Sequence, residues 1–192
     1  MKRTLCFILA IGMASALVAL AREDKSPNRQ FPSPDGRFCV RLEKTEDADG
    51  IVMTQVDLVS VKSGEKLCEL GTAGNPWAAD IRVLWSPDSR RFAYVAPGRR
   101  GDWTDIWVLN EKSFKQVFLP EMPSFGYKNL NGGHVAKTVV ASYSAVRWIK
   151  PDVLLIDNAS ENDEGDSARM RFAVHFDENN RMTVTKVDGK RR

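Results

Sequence analysis

Few residues in this chain have the types and spacing that catalysis requires. Its two histidines are His134 and His175. His134 follows a Gly-Gly pair, which predicts an accessible loop residue, whereas His175 lies in an alternating apolar segment typical of a strand. The chain has neither the Gly-x-Ser-x-Gly sequence of a serine nucleophile nor the closely spaced Cys and His residues of a zinc site. We therefore predict no catalytic residue, no metal site and no cofactor.

The segment from Asp157 to Asp166 holds the densest group of oxygen-bearing side chains, Asp-Asn-Ala-Ser-Glu-Asn-Asp-Glu-Gly-Asp. Calcium prefers such oxygens, but the usual calcium loop needs a fixed spacing of acidic residues, a glycine and a distal Glu. The spacing in this chain differs from that motif. We therefore predict a solvated hairpin loop here.

A basic and aromatic group lies in the sequence Gly-Arg-Arg-Gly-Asp-Trp, which contains Arg99, Arg100 and Trp103. An exposed tryptophan beside arginines is a typical anchor for a binding partner. We predict a binding role for these three residues. The alternative is a hairpin tip that only improves solubility.

A second candidate binding segment spans residues 120–137, with two prolines and three glycines. A connection of this length without periodicity is usually functional or disordered, and loops on β scaffolds commonly bind ligands. We predict a binding role for its Phe125, Tyr127 and His134. One alternative is a lid that buries the Phe and Tyr on the core. Another is a hydrolase-type site at the histidine.

Alternating apolar residues and turn sequences predict strands through the rest of the chain. Around Ser86-Pro87-Asp88, a strand, a tight turn and a second strand follow one another, because Pro presets the turn and Asp bonds its own backbone. Ser33-Pro34-Asp35 opens a similar hairpin, and Pro151-Asp152 opens a weaker third. These hairpins divide a single all-β domain, residues 31–192, into three units of four antiparallel strands, at about 31–71, 81–119 and 139–187.

Equivalent units would place their equivalent loops on one edge of the assembly. The loops between second and third strands are residues 45–50, 98–103 and 157–166, of which two are acidic and one is basic. We predict that all three project from the same edge.

Trp85-Ser86-Pro87-Asp88-Ser89, followed by Asp105-Ile106-Trp107-Val108, resembles the TolB-like β-propeller repeat, with its Trp-Ser-Pro-Asp turn and later Asp-Ile-x-Val strand. Ser33-Pro34-Asp35-Gly36 matches the same repeat without its Trp, and Trp148 to Ile156 keeps the Trp and the Pro-Asp. The resemblance covers two units and part of a third. It implies blade-like sheets, as in WD-like repeats, and no specific reaction, because such blades serve many roles.

Three units are fewer than the blades of a closed propeller, which needs about four. We therefore expect a partial or open propeller-like arrangement, with a β-sandwich or barrel as the alternative. An open stack leaves strands at its ends without neighbours, so self-association is an expected form of partnership.

The N-terminal 21 residues predict a secretory signal peptide. A basic start precedes the charge-free apolar run Leu5–Leu20, and Ala19-Leu20-Ala21 fits the small-residue cleavage site. Cleavage after Ala21 would leave residues 22–30 as a flexible leader, with no membrane span, in the periplasm or outside the cell. The alternative is an uncleaved anchor.

The rest of the chain carries nearly balanced charge. The full sequence has 28 basic and 25 acidic residues, and the signal segment holds Lys2, Arg3 and no acid, so 26 basic residues remain against 25 acidic ones. Binding to nucleic acid needs a basic stripe that replaces phosphate counterions. We predict no nucleic-acid partner.

Cys39 and Cys68 are the cysteines beyond the signal segment, and we expect them on the second and fourth strands of the first unit. Strands separated by one neighbour lie about 10 Å apart, which is beyond disulfide reach. We favour two buried free thiols, although an oxidising compartment would permit a disulfide.

The function predicted from these features is that of an exported binding or scaffolding module, with a protein partner or a second copy of the chain. The alternatives are a hydrolase-type enzyme with its site in residues 120–137, and a structural component of the cell envelope.

Overall fold

The computed structural model describes residues 29–46, 49–74, 77–99, 101–120, 138–162 and 167–187. The expected signal peptide and most of the expected leader therefore lie outside the described residues. Strand β1 begins at Gln30, so the last residue of that leader belongs to the first sheet.

The chain is all-β, with three four-stranded antiparallel sheets that follow one another in sequence. The first sheet contains β1 (Gln30–Pro32), β2 (Phe38–Glu46), β3 (Val52–Ser60) and β4 (Lys66–Gly74). The second contains β5 (Arg82–Trp85), β6 (Arg91–Gly98), β7 (Gly101–Asn110) and β8 (Ser113–Val117). The third contains β9 (Thr138–Lys150), β10 (Val153–Asn162), β11 (Ser167–Phe176) and β12 (Met182–Val187). A 3₁₀ turn, Trp77–Asp80, connects the first two sheets. The predicted all-β class and the three units are confirmed.

The Ser-Pro-Asp turns are built by their own side chains. The buried Ser86 hydroxyl donates to Asp88 Oδ1 at 2.6 Å and accepts from the Arg91 backbone N–H at 2.9 Å. Ser33 makes the same pair of bonds with Asp35 and Phe38. Both serine hydroxyls therefore form their hydrogen bonds within the turn.

Two hydrophobic cores lie between the sheets. Because side chains alternate along a strand, β6 serves both cores: Phe92 and Tyr94 face the first sheet, and Ala93 and Val95 face the third. All four side chains are buried. The middle sheet is therefore covered on both faces.

The three first turns lie at one edge of the stack. The Asp35 backbone N–H donates to Ser89 Oγ at 3.0 Å, and Arg91 Nη1 donates to the Pro151 carbonyl at 3.4 Å. In a meander, the second turn lies at the opposite end of the strands. The strand ends that flank the three second-to-third-strand loops therefore share the other edge, as the equivalence of the units predicted.

Two loop predictions are wrong in extent. Residues 157–162 belong to β10, because β9 and β11 pair with them and Asn158 and Ser160 are buried. Trp103 lies in β7, since β6 ends at Gly98 and β7 begins only three positions later.

The outward faces of the first and third sheets carry ion pairs. On the first, Lys66 Nζ lies 2.9 Å from Asp57 Oδ1. On the third, Arg171 holds Asp157 through two bonds of 2.6 and 2.9 Å. On the third sheet the ion pair lies beside a small buried cluster of Val153, Leu155 and Ala173.

Cys39 lies on β2 and Cys68 on β4, with β3 between them, and both are free thiols. Cys39 is buried as expected, whereas Cys68 is only partly buried. Burial raises the pKa of both thiols, that of Cys68 to about 11. Both are therefore protonated and poor nucleophiles at neutral pH.

Within the described ranges, no helix is both long and apolar enough to cross a membrane.

Candidate binding groove

A groove of about 420 Å³ lies between the first and second sheets, at the edge of the stack where β6 turns into β7. Both aromatic side chains and small residues line it. The lining residues are Thr72, Ala73, Gly74, Trp77, Tyr94, Ala96, Pro97, Gly98, Arg99 and Trp103. Small-molecule sites commonly have this size and this mainly apolar lining.

Two tryptophans give the groove its apolar surface. Trp77 lies in the 3₁₀ turn and is 42% exposed, and Trp103 lies near the start of β7 and is 48% exposed. The other three tryptophans, Trp85, Trp107 and Trp148, pack against the two cores. The exposure of Trp77 and Trp103 thus needs an explanation other than core packing.

The ring of Trp103 lies directly on the backbone of Gly98. A Cβ atom added at Gly98 would stand 2.7 Å from ring carbon Cζ3 and 2.9 Å from the Gly101 carbonyl oxygen. Only glycine leaves room for the indole in this position. The close packing holds the exposed ring against a strand.

The residues on either side of Trp103 are bound to the third sheet. Asp102 Oδ2 accepts from Ser144 Oγ at 2.7 Å and from Arg82 Nη2 at 3.0 Å. Thr104 Oγ1 donates to the Tyr143 carbonyl at 2.7 Å. Because side chains alternate along β7, these bonds to one neighbouring sheet leave Trp103 facing the other. The indole therefore projects into the groove from a fixed backbone.

Tyr94 forms part of the groove wall and is almost fully buried. Burial, together with the charge of Asp105, its partner across the β6–β7 pair, raises its pKa to about 12. The hydroxyl is therefore protonated at neutral pH and is able to donate a hydrogen bond. Burial also raises the pKa of Asp105 itself, against the opposing effect of a hydrogen bond from Gln116.

Arg99 contributes charge to the groove. It is exposed, and it is the one charged side chain among the described residues that line the space. A guanidinium beside aromatic walls is suited to bind a carboxylate or another planar anion.

The structure brings together two of the six residues for which the sequence predicted a binding role. Arg99 and Trp103 line one groove. Arg100, Phe125, Tyr127 and His134 lie outside the described residues.

The sequence did not assign Trp77 and Tyr94 to the site. The sequence Gly-Asn-Pro-Trp around Trp77 already suggested a residue outside the strands, whereas Tyr94 has the pattern of an ordinary core residue. Tyr94 is recognised as a lining residue of the groove only in the structure, where the first and second sheets pack together.

The described histidine, His175, does not line the groove. His175 Nε2 lies 3.0 Å from Thr185 Oγ1 on the third sheet, remote from the groove in the fold. In the parts of the chain that the structure describes, no three His, Cys, Asp or Glu side chains cluster closely enough to hold a metal ion.

Comparison with known proteins adds no assignment. The chain matches no protein-family model, and no curated protein matches it. The function must therefore be argued from the groove.

Proposed function

We propose that this protein is an exported binding module, built as an open propeller-like stack of three sheets, whose ligand site is the groove between the first two. The observation that carries the proposal is the pair of half-exposed tryptophans, Trp77 and Trp103, that line a space of about 420 Å³. Large exposed aromatic side chains that converge on one concavity are typical of binding sites.

The propeller-like interpretation is supported by a contact that recurs between sheets. Trp85 Nε1 donates to the Phe31 carbonyl in the first sheet at 3.0 Å, and Trp148 Nε1 donates to the Leu84 carbonyl in the second at 2.8 Å. Each bond joins the first strand of one four-stranded meander to the first strand of the preceding one. Repeated contacts of this kind are expected of blades around a common axis.

The chemistry of the lining favours binding over catalysis. A general base needs a pKa near the working pH, but the hydroxyl of Tyr94 has a pKa of about 12. Arginine side chains such as Arg99 bind anions and do not act as bases. The groove thus offers apolar faces, one cation and hydrogen-bond donors, which orient a ligand without reacting with it.

The test is a titration with N-phenyl-1-naphthylamine, a neutral aromatic dye that becomes fluorescent in apolar sites. We expect saturable binding to the wild-type protein and an affinity about tenfold weaker after Trp103→Ala, equivalent to about 1.4 kcal/mol. Trp77→Ala should weaken binding in the same direction.

Phe118→Ala is the matched control, since this side chain is 79% exposed but does not line the groove. It should leave dye binding unchanged. If Trp103→Ala and Phe118→Ala bind the dye equally well, the groove is not the binding site and the proposal is wrong.

A further inference from the structure

The groove has a charge character that its apolar walls do not explain. Arg99 is exposed at the groove, and none of the other described lining residues is ionised at neutral pH. A cation in an otherwise neutral, aromatic space favours a ligand of opposite charge.

Among the described residues, Arg99 lacks the carboxylate partner that Arg82 and Arg171 have. Arg82 is engaged by Asp102 at 3.0 Å, and Arg171 by Asp157 at 2.6 Å. No carboxylate within the described ranges forms an ion pair with Arg99. Its five N–H donors can therefore be offered to a ligand without first breaking a bond to a described acid.

Two described acidic residues on β7, Asp102 and Asp105, do not line the groove. Asp105 on β7 lies opposite Tyr94 on β6 in the strand pairing, but it does not line the groove. Burial raises the pKa of Asp105. Asp102 points towards the third sheet, where it accepts from Ser144 of β9 and from Arg82 of β5. The described lining therefore presents one positive charge together with two indole rings.

From this arrangement we infer that the ligand is a small anion with a planar, apolar ring system. Its aromatic or fused ring lies against Trp77 and Trp103, and its carboxylate or sulfonate group is bound by Arg99. Aromatic rings attract one another in stacked or edge-on arrangements. A guanidinium donates two parallel hydrogen bonds to two oxygens of a carboxylate or of a tetrahedral oxyanion. The inference rests on the proposed function and adds the chemical class of the ligand.

The test compares two dyes of similar ring size and different charge. One is 8-anilinonaphthalene-1-sulfonate, which is anionic, and the other is the neutral N-phenyl-1-naphthylamine. Arg99→Gln removes the charge and keeps a hydrogen-bonding side chain. It should weaken the anionic dye about tenfold, as expected for loss of a charge-assisted hydrogen bond, and change the neutral dye less than about twofold.

Arg90→Gln is the matched control, because Arg90 is exposed in the turn between β5 and β6, at the opposite edge of the stack. It makes the same change in net charge and should leave both dyes unaffected. Near-ultraviolet circular dichroism and unfolding midpoints identical to wild type establish that each variant is folded.

The outcomes separate the two proposals. If Arg99→Gln leaves the anionic dye unchanged while Trp103→Ala weakens both dyes, the groove binds ligands but does not select anions, and this inference is overturned. Equal loss of the anionic dye in Arg99→Gln and Arg90→Gln overturns it as well, since overall charge then suffices. If Trp103→Ala affects neither dye, the proposed function itself fails.

Discussion

The indole N–H of Trp148 donates a hydrogen bond of 2.8 Å to the backbone carbonyl of Leu84, 64 residues earlier in the chain. Trp85 makes the corresponding bond to Phe31, 54 residues earlier. Both acceptors lie in the first strand of the preceding sheet. The tryptophan of the repeated hairpin therefore fastens each sheet to the one before it.

Trp148→Phe should destabilise the protein by about 1–3 kcal/mol, because it leaves the Leu84 carbonyl without this donor and removes part of a ring that packs against Phe176 at 5.5 Å. The measurement is the free energy of unfolding from urea denaturation. Trp77→Phe is the control, since Trp77 is 42% exposed, and it should change stability by less than about 0.5 kcal/mol. Equal effects of the two substitutions would contradict the role of the inter-sheet bond.

Gly101→Ala should destabilise the protein strongly. Gly101 has φ +124, and a Cβ there would stand 2.6 Å from the Cβ of Ser142 in the third sheet. Gly36→Ala is a matched control, because Gly36 has φ +70 but open space around its Cα. Both substitutions incur backbone strain, and we expect Gly101→Ala to cost about 2 kcal/mol more because of overpacking. Similar unfolding midpoints for the two variants would contradict this prediction, because they would show that the third sheet shifts away from the added Cβ at Ser142 at little cost.

Asp105→Asn should stabilise the protein at pH 7. Burial raises the pKa of Asp105 in the folded state, so the folded protein binds this proton more tightly than the unfolded chain does. The contribution of Asp105 to wild-type stability therefore falls as pH rises above about 4. Asparagine has no charge to bury and retains a partner for Gln116. The gain in unfolding free energy should therefore grow between pH 4 and pH 7 and vanish at lower pH.

Asp35→Asn should show the opposite pH dependence. Burial works to raise the pKa of Asp35, but hydrogen bonds from the Arg37 backbone, the Ser33 hydroxyl and the Arg37 guanidinium outweigh it and lower the pKa to about 2. The carboxylate therefore stabilises the fold above about pH 4, and this contribution is lost as pH falls towards 2. The variant should be less stable than wild type at pH 7, with the difference closing in acid. Parallel profiles for the two Asp variants would contradict both assignments.

Export predicts a defined N-terminus. Expressed as the full chain in a bacterial host, the protein should be recovered from the periplasm or the medium with Arg22 as its first residue, because Ala19-Leu20-Ala21 fits the cleavage site. Ala21→Leu should block cleavage and leave the longer chain attached to the membrane. A wild-type protein that retains Met1 would refute processing at this site.

Much of the fold could be predicted because its signals are local. Alternation of apolar residues marks strands, and the Ser-Pro-Asp turn satisfies itself within five residues, as the bonds of Ser86 to Asp88 and Arg91 show. The acidic segment 157–162 was assigned wrongly, because its polar composition favours a loop. Pairing with two neighbouring strands and the ion pair between Asp157 and Arg171 override that local preference.

The candidate site was likewise predicted only in part from the sequence. The sequence by itself marked Arg99 and Trp103 as a basic and aromatic group, since adjacent residues suffice to recognise it. Only the tertiary structure joined them to Trp77 and Tyr94 and fixed Trp103 on Gly98. The physical reason is distance along the chain: strands and turns depend on neighbours a few residues apart, whereas the groove exists only where one sheet packs against the next.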